Sequence, residues 1–191
     1  MAGAYKEDYK MYRQCTTEKT AMQQRIIQDA LLSVMEVKAY AEISVTELCA
    51  LSKLTRKIFY RLFDCKDDVL QSLLDRHFYE CNQFISGKTI ESSFLQFFTF
   101  WKQHKAFLDL LEKNQLSGQL MAQAFFYTYS IDKSVQQWIG AESNRYEPEI
   151  LMFFISGLIS LVITWHHSKF IRSTEEMAEI AVHLYTQGLL Q

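Results

Sequence analysis

The stretch that decides the fold is I-S-V-T-E-L-C-A-L-S-K-L-T-R-K-I-F-Y-R-L-F-D-C-K-D-D-V-L, running from Ile43 to Leu70. Ser44 with Glu47 three residues on is the S-x-x-E signature of a helix start. The hydroxyl accepts from the third helical N–H, and the carboxylate reaches back to the cap. Val45, Leu48, Cys49 and Leu51 then give a short helix one apolar side. Ser52-Lys53-Leu54 interrupts the pattern, and Thr55 caps a second short helix, Arg56 to Phe63. Its Ile58, Phe59, Leu62 and Phe63 point inward, while Arg56, Lys57, Tyr60 and Arg61 point outward. Two short capped helices across a tight turn form a helix-turn-helix pattern.

Upstream, Ile26, Ile27, Ala30, Leu31, Val34 and Met35 recur at helical spacing as far as Val37. Lys38–Ile43 connects the two helices, with Tyr40 expected to plug the core. Downstream, Val69, Leu70, Leu73, Leu74, His77, Phe78 and Cys81 predict a longer helix over Lys66–Ile85. Ser86-Gly87-Lys88 reads as a linker and places a domain boundary there. Further helical segments are expected near 90–103, 104–114, 116–131, 147–167 and 174–189, with a polar loop over 132–147 that holds a short helix around Val135–Ile139. The first 17 residues read as a polar arm. The fold is therefore expected to be all-α: a three-helix helix-turn-helix domain over 18–87 and a helical regulatory and dimerisation domain over 88–191.

Composition agrees. One proline and six glycines among 191 residues leave little turn chemistry for sheets. Net charge is −2, with 13 basic and 12 acidic residues in 1–88 against 7 and 10 in the remainder. Yet Lys53, Arg56, Lys57, Arg61 and Lys66 crowd one short stretch with the single acid Asp64. That is either a solvated helix face or the footprint of a nucleic-acid binder. Cys15, Cys49, Cys65 and Cys81 form no CxxC pair and no leader precedes the domain, so a reduced, cytoplasmic setting is expected. The apolar run Ile150–Trp165 is too short to cross a bilayer and reads as a core or interface helix, so no membrane partner is expected.

A helix-turn-helix reads DNA by laying its second helix in the major groove, with donors at that helix's N-terminal end. Arg56 and Lys57 stand there, able to reach guanine. Tyr60 and Arg61 follow one turn later. Lys66 opens the next helix, where its ammonium and the free N–H groups are expected to share a phosphate.

Ile43–Leu70, above all Phe59-Tyr60-x-x-Phe63-x-x-Lys66 followed by an apolar Val69 or Leu70, resembles the DNA-binding segment of the tetracycline-repressor (TetR) family, a likeness covering about residues 20–75. The resemblance implies phosphate contacts at Val45 (through its backbone N–H), Thr55, Tyr60 and Lys66, and base contacts at Arg56, Lys57 and Arg61. Where that family usually has Ala-Gly, this chain has Ser52-Lys53, which implies a lysine at positive φ. The resemblance also implies a repressor acting on double-stranded DNA with an inverted-repeat operator.

Phe154–Ile180 is similar, more loosely, to the branch that regulates dihydroxyacetone-kinase operons. That similarity implies a homodimer built on the last two helices. Ile150–Trp165 is apolar nearly all round, which supports the same reading, and Ser156, Gly157 and Ser160 would allow close approach. The expected contact residues are Phe154, Gly157, Leu158, Leu161, Trp165, Ile180 and Leu184. Phe97, Trp101, Phe126, Tyr127 and Tyr129 either line an effector pocket or form plain core. The signal is a small molecule or a partner protein.

His166-His167 invites a metal reading with His104 or His183, but adjacent histidines diverge on a helix, so no metal and no other cofactor is expected. Cys65, beside Lys66 at a helix start, is the cysteine to test for a redox role. The arm's Lys6, Lys10 and Arg13 could enter a minor groove. No phosphate-cradling glycine loop, G-x-S-x-G, H-E-x-x-H or dinucleotide glycine pattern occurs, so an enzyme is not expected. The alternative function is a protein-binding adaptor that uses the helical C-terminal domain.

Overall fold

The computed structural model describes residues 17–87, 89–130 and 147–189, with the side chains of 126–130, 147–151 and 187–189 excepted. The arm residues Lys6, Lys10, Arg13 and Cys15 and the expected loop over 132–146 lie outside the described residues. Among those described, the secondary structure is helical: α1 Glu18–Val37, α2 Val45–Ser52, α3 Arg56–Leu62, α4 Lys66–Phe84, α5 Ile90–Gln103, α6 Lys105–Lys113, α7 Ser117–Ser130, α8 Glu147–His167 and α9 Thr174–Leu189. A single 3₁₀ turn, Tyr40–Glu42, stands between α1 and α2.

The chain divides into two compact units. The first runs through Arg76 and takes in Glu112–Gln115; the second holds His77–Leu111 and everything from Leu116 onward. The boundary expected at 86–88 thus falls inside α4 instead. The reason is that α4 is one continuous helix with two sets of neighbours. Its first half ties to α1, where Gln28 Nε2 donates to Ser72 Oγ at 2.9 Å and Arg76 pairs with Asp29 at 3.3 Å. Its second half packs its rings on α5, Phe78 against Trp101 and Phe84 against Phe100. Ser86-Gly87, read as a linker, is a fastened turn: both backbone N–H groups donate to Gln96 Oε1, at 2.9 and 2.8 Å.

In the first unit α1, α2 and α3 pack on one another. Ile27, Leu31, Met35, Leu48, Phe59, Phe63, Leu73 and Leu74 form its buried core. Burying each such side chain contributes about 1.5–3 kcal/mol before entropy is counted. Two expectations fail here. Leu51 is half exposed, because α2 turns Leu48, Cys49 and Ser52 inward and Leu51 lies off that side. Tyr40 does not plug the core; its hydroxyl donates to Asp67 and its ring lies under the Lys66 ammonium.

The second unit pairs α5 with α9 and α7 with α8. Phe94, Phe98 and Trp101 of α5, Leu111 of α6, Leu120 of α7, Val162 and Trp165 of α8 and Ala181 of α9 fill its centre. Edge-to-face aromatic pairs recur there, among them Phe98 with Trp165 at 5.7 Å, each adding about 0.5–1.5 kcal/mol beyond area. The α8–α9 corner is made by Lys169 and Phe170, both left-handed (φ 57° and 56°). It is locked by the Trp165 indole, which donates to the Arg172 carbonyl at 3.0 Å.

Candidate nucleic-acid interface

The cap of α2 forms as its sequence dictates. Ser44 Oγ accepts from the Glu47 N–H at 3.3 Å, and Glu47 Oε2 accepts from the Ser44 N–H at 2.8 Å. The Lys38 ammonium adds a 2.7 Å ion pair to Glu47. The Lys38 and Ser44 bonds lower the Glu47 carboxyl to about 2. Val45, first residue of α2 and half-buried, leaves its N–H among those a helix cannot satisfy internally.

Lys53 ends α2 in the left-handed region (φ 54°, ψ 27°), a conformation that costs a non-glycine residue about 1 kcal/mol. It turns the chain sharply enough for Thr55 to cap α3, accepting from the Ile58 N–H at 3.3 Å. The buried ring of Phe59 anchors α3 from below and meets Tyr60 edge-on at 5.4 Å. The opposite face of α3 is open: Thr55, Arg56, Lys57, Tyr60 and Arg61 are all exposed, as is Lys53 beside them. Four cations and a phenol therefore share one solvent-facing strip.

Their freedom differs. Arg56 Nη2 donates to Thr46 Oγ1 at 2.6 Å, which draws its guanidinium toward the start of α2. Arg61 Nη2 donates to Gln23 Oε1 of α1 at 2.8 Å. Lys57 makes no hydrogen bond or ion pair among the described residues. Thr46 and Gln23 carry no sequence signal of their own, and Gln23 lies 38 residues from its partner. Lys53 shows in the sequence as part of the charge cluster and by its place at the turn, and the structure adds it to the strip.

Lys66, expected at a phosphate, is engaged within the protein. Its ammonium donates to the carbonyls of Tyr40, Ala41 and Ile43 at 2.7, 3.0 and 3.1 Å, and lies 4.6 Å from the Tyr40 ring centroid. An ammonium has three donors, and all three are used. The start of α4 beside it is already supplied with acceptors: Asp68 Oδ2 takes the N–H groups of Asp64 and Cys65 at 2.7 and 3.3 Å. A phosphate there would meet Asp67 and Asp68 in the first turn. Lys66 is a strut between the 3₁₀ turn and α4. Burial pushes the Cys65 thiol up from its ordinary value.

The remaining site expectations divide. Phe97 and Trp101 are buried in the second unit, ring against ring. The side chains of Phe126, Tyr127 and Tyr129 lie outside those described. Trp101 Nε1 is buried with no hydrogen-bond partner among the described residues. Of the residues expected at a dimer contact, Leu158 and Trp165 are buried within the second unit, because Ile150–Trp165 is apolar nearly all round and one side must turn inward. Gly157 and Leu184 are exposed, and Phe154, Leu161 and Ile180 are half-exposed. Phe153, not expected, is also exposed, at 79%. His166 is buried on Asp109 at 2.7 Å and His167 is exposed, yet the two do not diverge as expected: each offers a ring nitrogen within 4.8 Å of the other's. None of the described helices is long and apolar enough to cross a membrane.

No protein-family profile matches the chain, and no curated protein matches it in sequence. Solved structures do resemble it. A TetR transcriptional regulator from Streptococcus agalactiae superimposes with a TM-score of 0.59 at 16% identity, covering 87% of this chain and 95% of its own. The dihydroxyacetone kinase operon activator DhaS gives 0.56 at 15% identity, covering 89% and 97%. The fatty acid degradation regulator FadR from Bacillus halodurans gives 0.51 at 14%, covering 92% and 98%. Across almost its whole length, then, this chain has the all-α fold seen in TetR-family transcriptional regulators.

Proposed function

We propose that the protein is a transcriptional regulator that binds double-stranded DNA through α3 and the turn before it. The observation that carries this reading is the exposed strip Lys53, Arg56, Lys57, Tyr60 and Arg61 on a capped α3 whose other face is anchored by buried Phe59. A helix so presented fits a major groove, with its N-terminal residues toward base edges. Lys57 is the unengaged base reader. Arg56, drawn to Thr46, reaches either a base or the phosphate beside α2. Thr55, Tyr60 and the Val45 N–H serve phosphates, which fix register and carry no sequence information. The likeness to TetR-type structures supports the same reading.

A homodimer on the exposed stripe of α8 and α9, acting as a repressor at an inverted repeat, completes the proposal. Two identical readers about 34 Å apart match successive major grooves and require a palindromic site. The signal enters the second unit. The buried Trp101 N–H, without a partner among the described residues, favours a small molecule with an acceptor, because leaving that donor unmet costs about 1–3 kcal/mol. The test is titration of a mixed-sequence duplex at low salt with the wild type and with Lys57→Ala/Arg61→Ala. The wild type binds with a steep salt slope, and the double variant loses affinity with the slope reduced by up to about 2. Equal binding by both would remove α3 from the interface.

A further inference from the structure

The 3₁₀ turn that Lys66 braces is also held from a distant part of the chain. Asn114 Oδ1 accepts the Tyr40 N–H at 2.7 Å, across 74 residues. The Asn114 carboxamide also donates to the Met35 carbonyl at 3.5 Å, and the neighbouring Lys113 ammonium donates to the Glu36 carbonyl. These two side chains meet the end of α1 and the start of the turn, where helix carbonyls and turn donors want partners.

Asn114 is presented rigidly. α6 ends in a Schellman motif: the Leu116 N–H donates to the Leu111 carbonyl at 2.8 Å, the Gln115 N–H to Glu112 at 3.0 Å, and Gln115 is left-handed at φ 59°. That geometry fixes where the residue just before Gln115 points. On the receiving side, Tyr40 is tied by each of its polar groups. Its N–H goes to Asn114, its carbonyl takes Lys66, and its hydroxyl goes to Asp67. Ser44, the cap of α2, lies four residues on. The height of the turn is thereby shared by the starts of α2 and α4.

We propose that Asn114 is a positioning residue for DNA binding: as acceptor for the Tyr40 N–H it sets the turn that places the starts of α2 and α4. It touches no DNA. This rests on the DNA-binding reading above. It makes Glu112–Gln115, which belong to the same compact unit as Tyr40, a functional part of the DNA-binding unit.

The test uses the full-length chain and two substitutions. Asn114→Leu keeps the size and removes the acceptor; Asn114→Asp keeps the acceptor. Amide hydrogen exchange at Tyr40 and affinity for a DNA duplex are measured for both, with melting temperature alongside. Asn114→Leu should speed exchange at Tyr40 and weaken DNA binding, each by about tenfold, with the salt slope unchanged. Asn114→Asp should restore both. Unchanged exchange in Asn114→Leu overturns the proposal, as does faster exchange with undiminished DNA affinity. Equal loss in both variants also overturns it, since the acceptor would then be irrelevant. A wild type that binds no duplex would fail the DNA-binding reading itself, and the exchange at Tyr40 would still decide whether Asn114 holds the turn.

Discussion

Lys66 and Tyr40 hold each other twice: the ammonium donates to the Tyr40 carbonyl at 2.7 Å and sits 4.6 Å from the centroid of the same residue's ring. The lysine that opens α4 is therefore engaged within the protein. Lys66→Met should lower the stability of the first unit by about 2 kcal/mol, the scale of a hydrogen bond to a charged group. Its DNA affinity should fall only as far as the turn moves, with the salt slope kept. Denaturant melts and a salt titration of DNA binding check this. A slope lowered by about 1 would return Lys66 to the phosphates.

Glu47 gives the first unit a pH dependence whose sign follows from its cap. Its carboxyl lies lower in the folded chain, about 2, than its ordinary 4.5. Its contribution is therefore fully present above pH 4.5 and lost as pH falls from there toward 2. Glu47→Gln should reduce the acid sensitivity of stability across that window while leaving neutral-pH stability slightly lower. Because the group is exposed, high salt should narrow the difference between the two proteins. Urea midpoints measured from neutral pH down through that window check it.

Gly87 is required by contact rather than by φ. A Cβ there would lie 2.5 Å from Ser92 Oγ and 2.8 Å from the Ser93 backbone nitrogen. Gly87→Ala should therefore cost about 1–3 kcal/mol, the scale of overpacking. Ser86→Ala at the adjacent position should cost far less. Thermal melts of the two variants compare them directly.

Gly157 is the opposite case, and it probes the proposed dimer. A Cβ on it meets nothing within 4 Å among the described residues, so there is open space where a side chain would begin. Gly157→Arg should hold or slightly raise helix stability, as glycine is about 1 kcal/mol worse than other residues in a helix. It should nevertheless convert a dimer to a monomer in sedimentation. Leu184→Glu should do the same from α9. A Gly157→Arg protein that sediments as the wild type does would move the interface elsewhere.

Residues close together in the chain are the ones whose arrangement the sequence makes legible. Ser44 and Glu47 lie one turn apart, so the capping box can be read from the letters alone. The inward and outward sides of α3 follow from spacing, and so do the helix bounds. Lys66 shows the limit: its partners lie 23 to 26 residues away, in a turn whose path no local pattern states. Asn114 is further still from Tyr40, and an asparagine near the end of a helix has many ordinary uses. Leu158 and Trp165 escape sequence reasoning for a different reason. Ile150–Trp165 is apolar nearly all round, so its spacing does not say which side turns into the second unit's own core.

The central claim, sequence-specific binding of DNA by two copies of α3, is tested most directly by selecting bound fragments from a random DNA pool with the purified full-length protein at fixed salt. An inverted repeat should be recovered, with half-sites centred about one helical turn apart or a multiple of it. Lys57→Ala should relax preference at one position in each half. Weak, sequence-independent binding that vanishes near physiological salt would contradict the claim, leaving the helical second unit as a docking module for a protein partner.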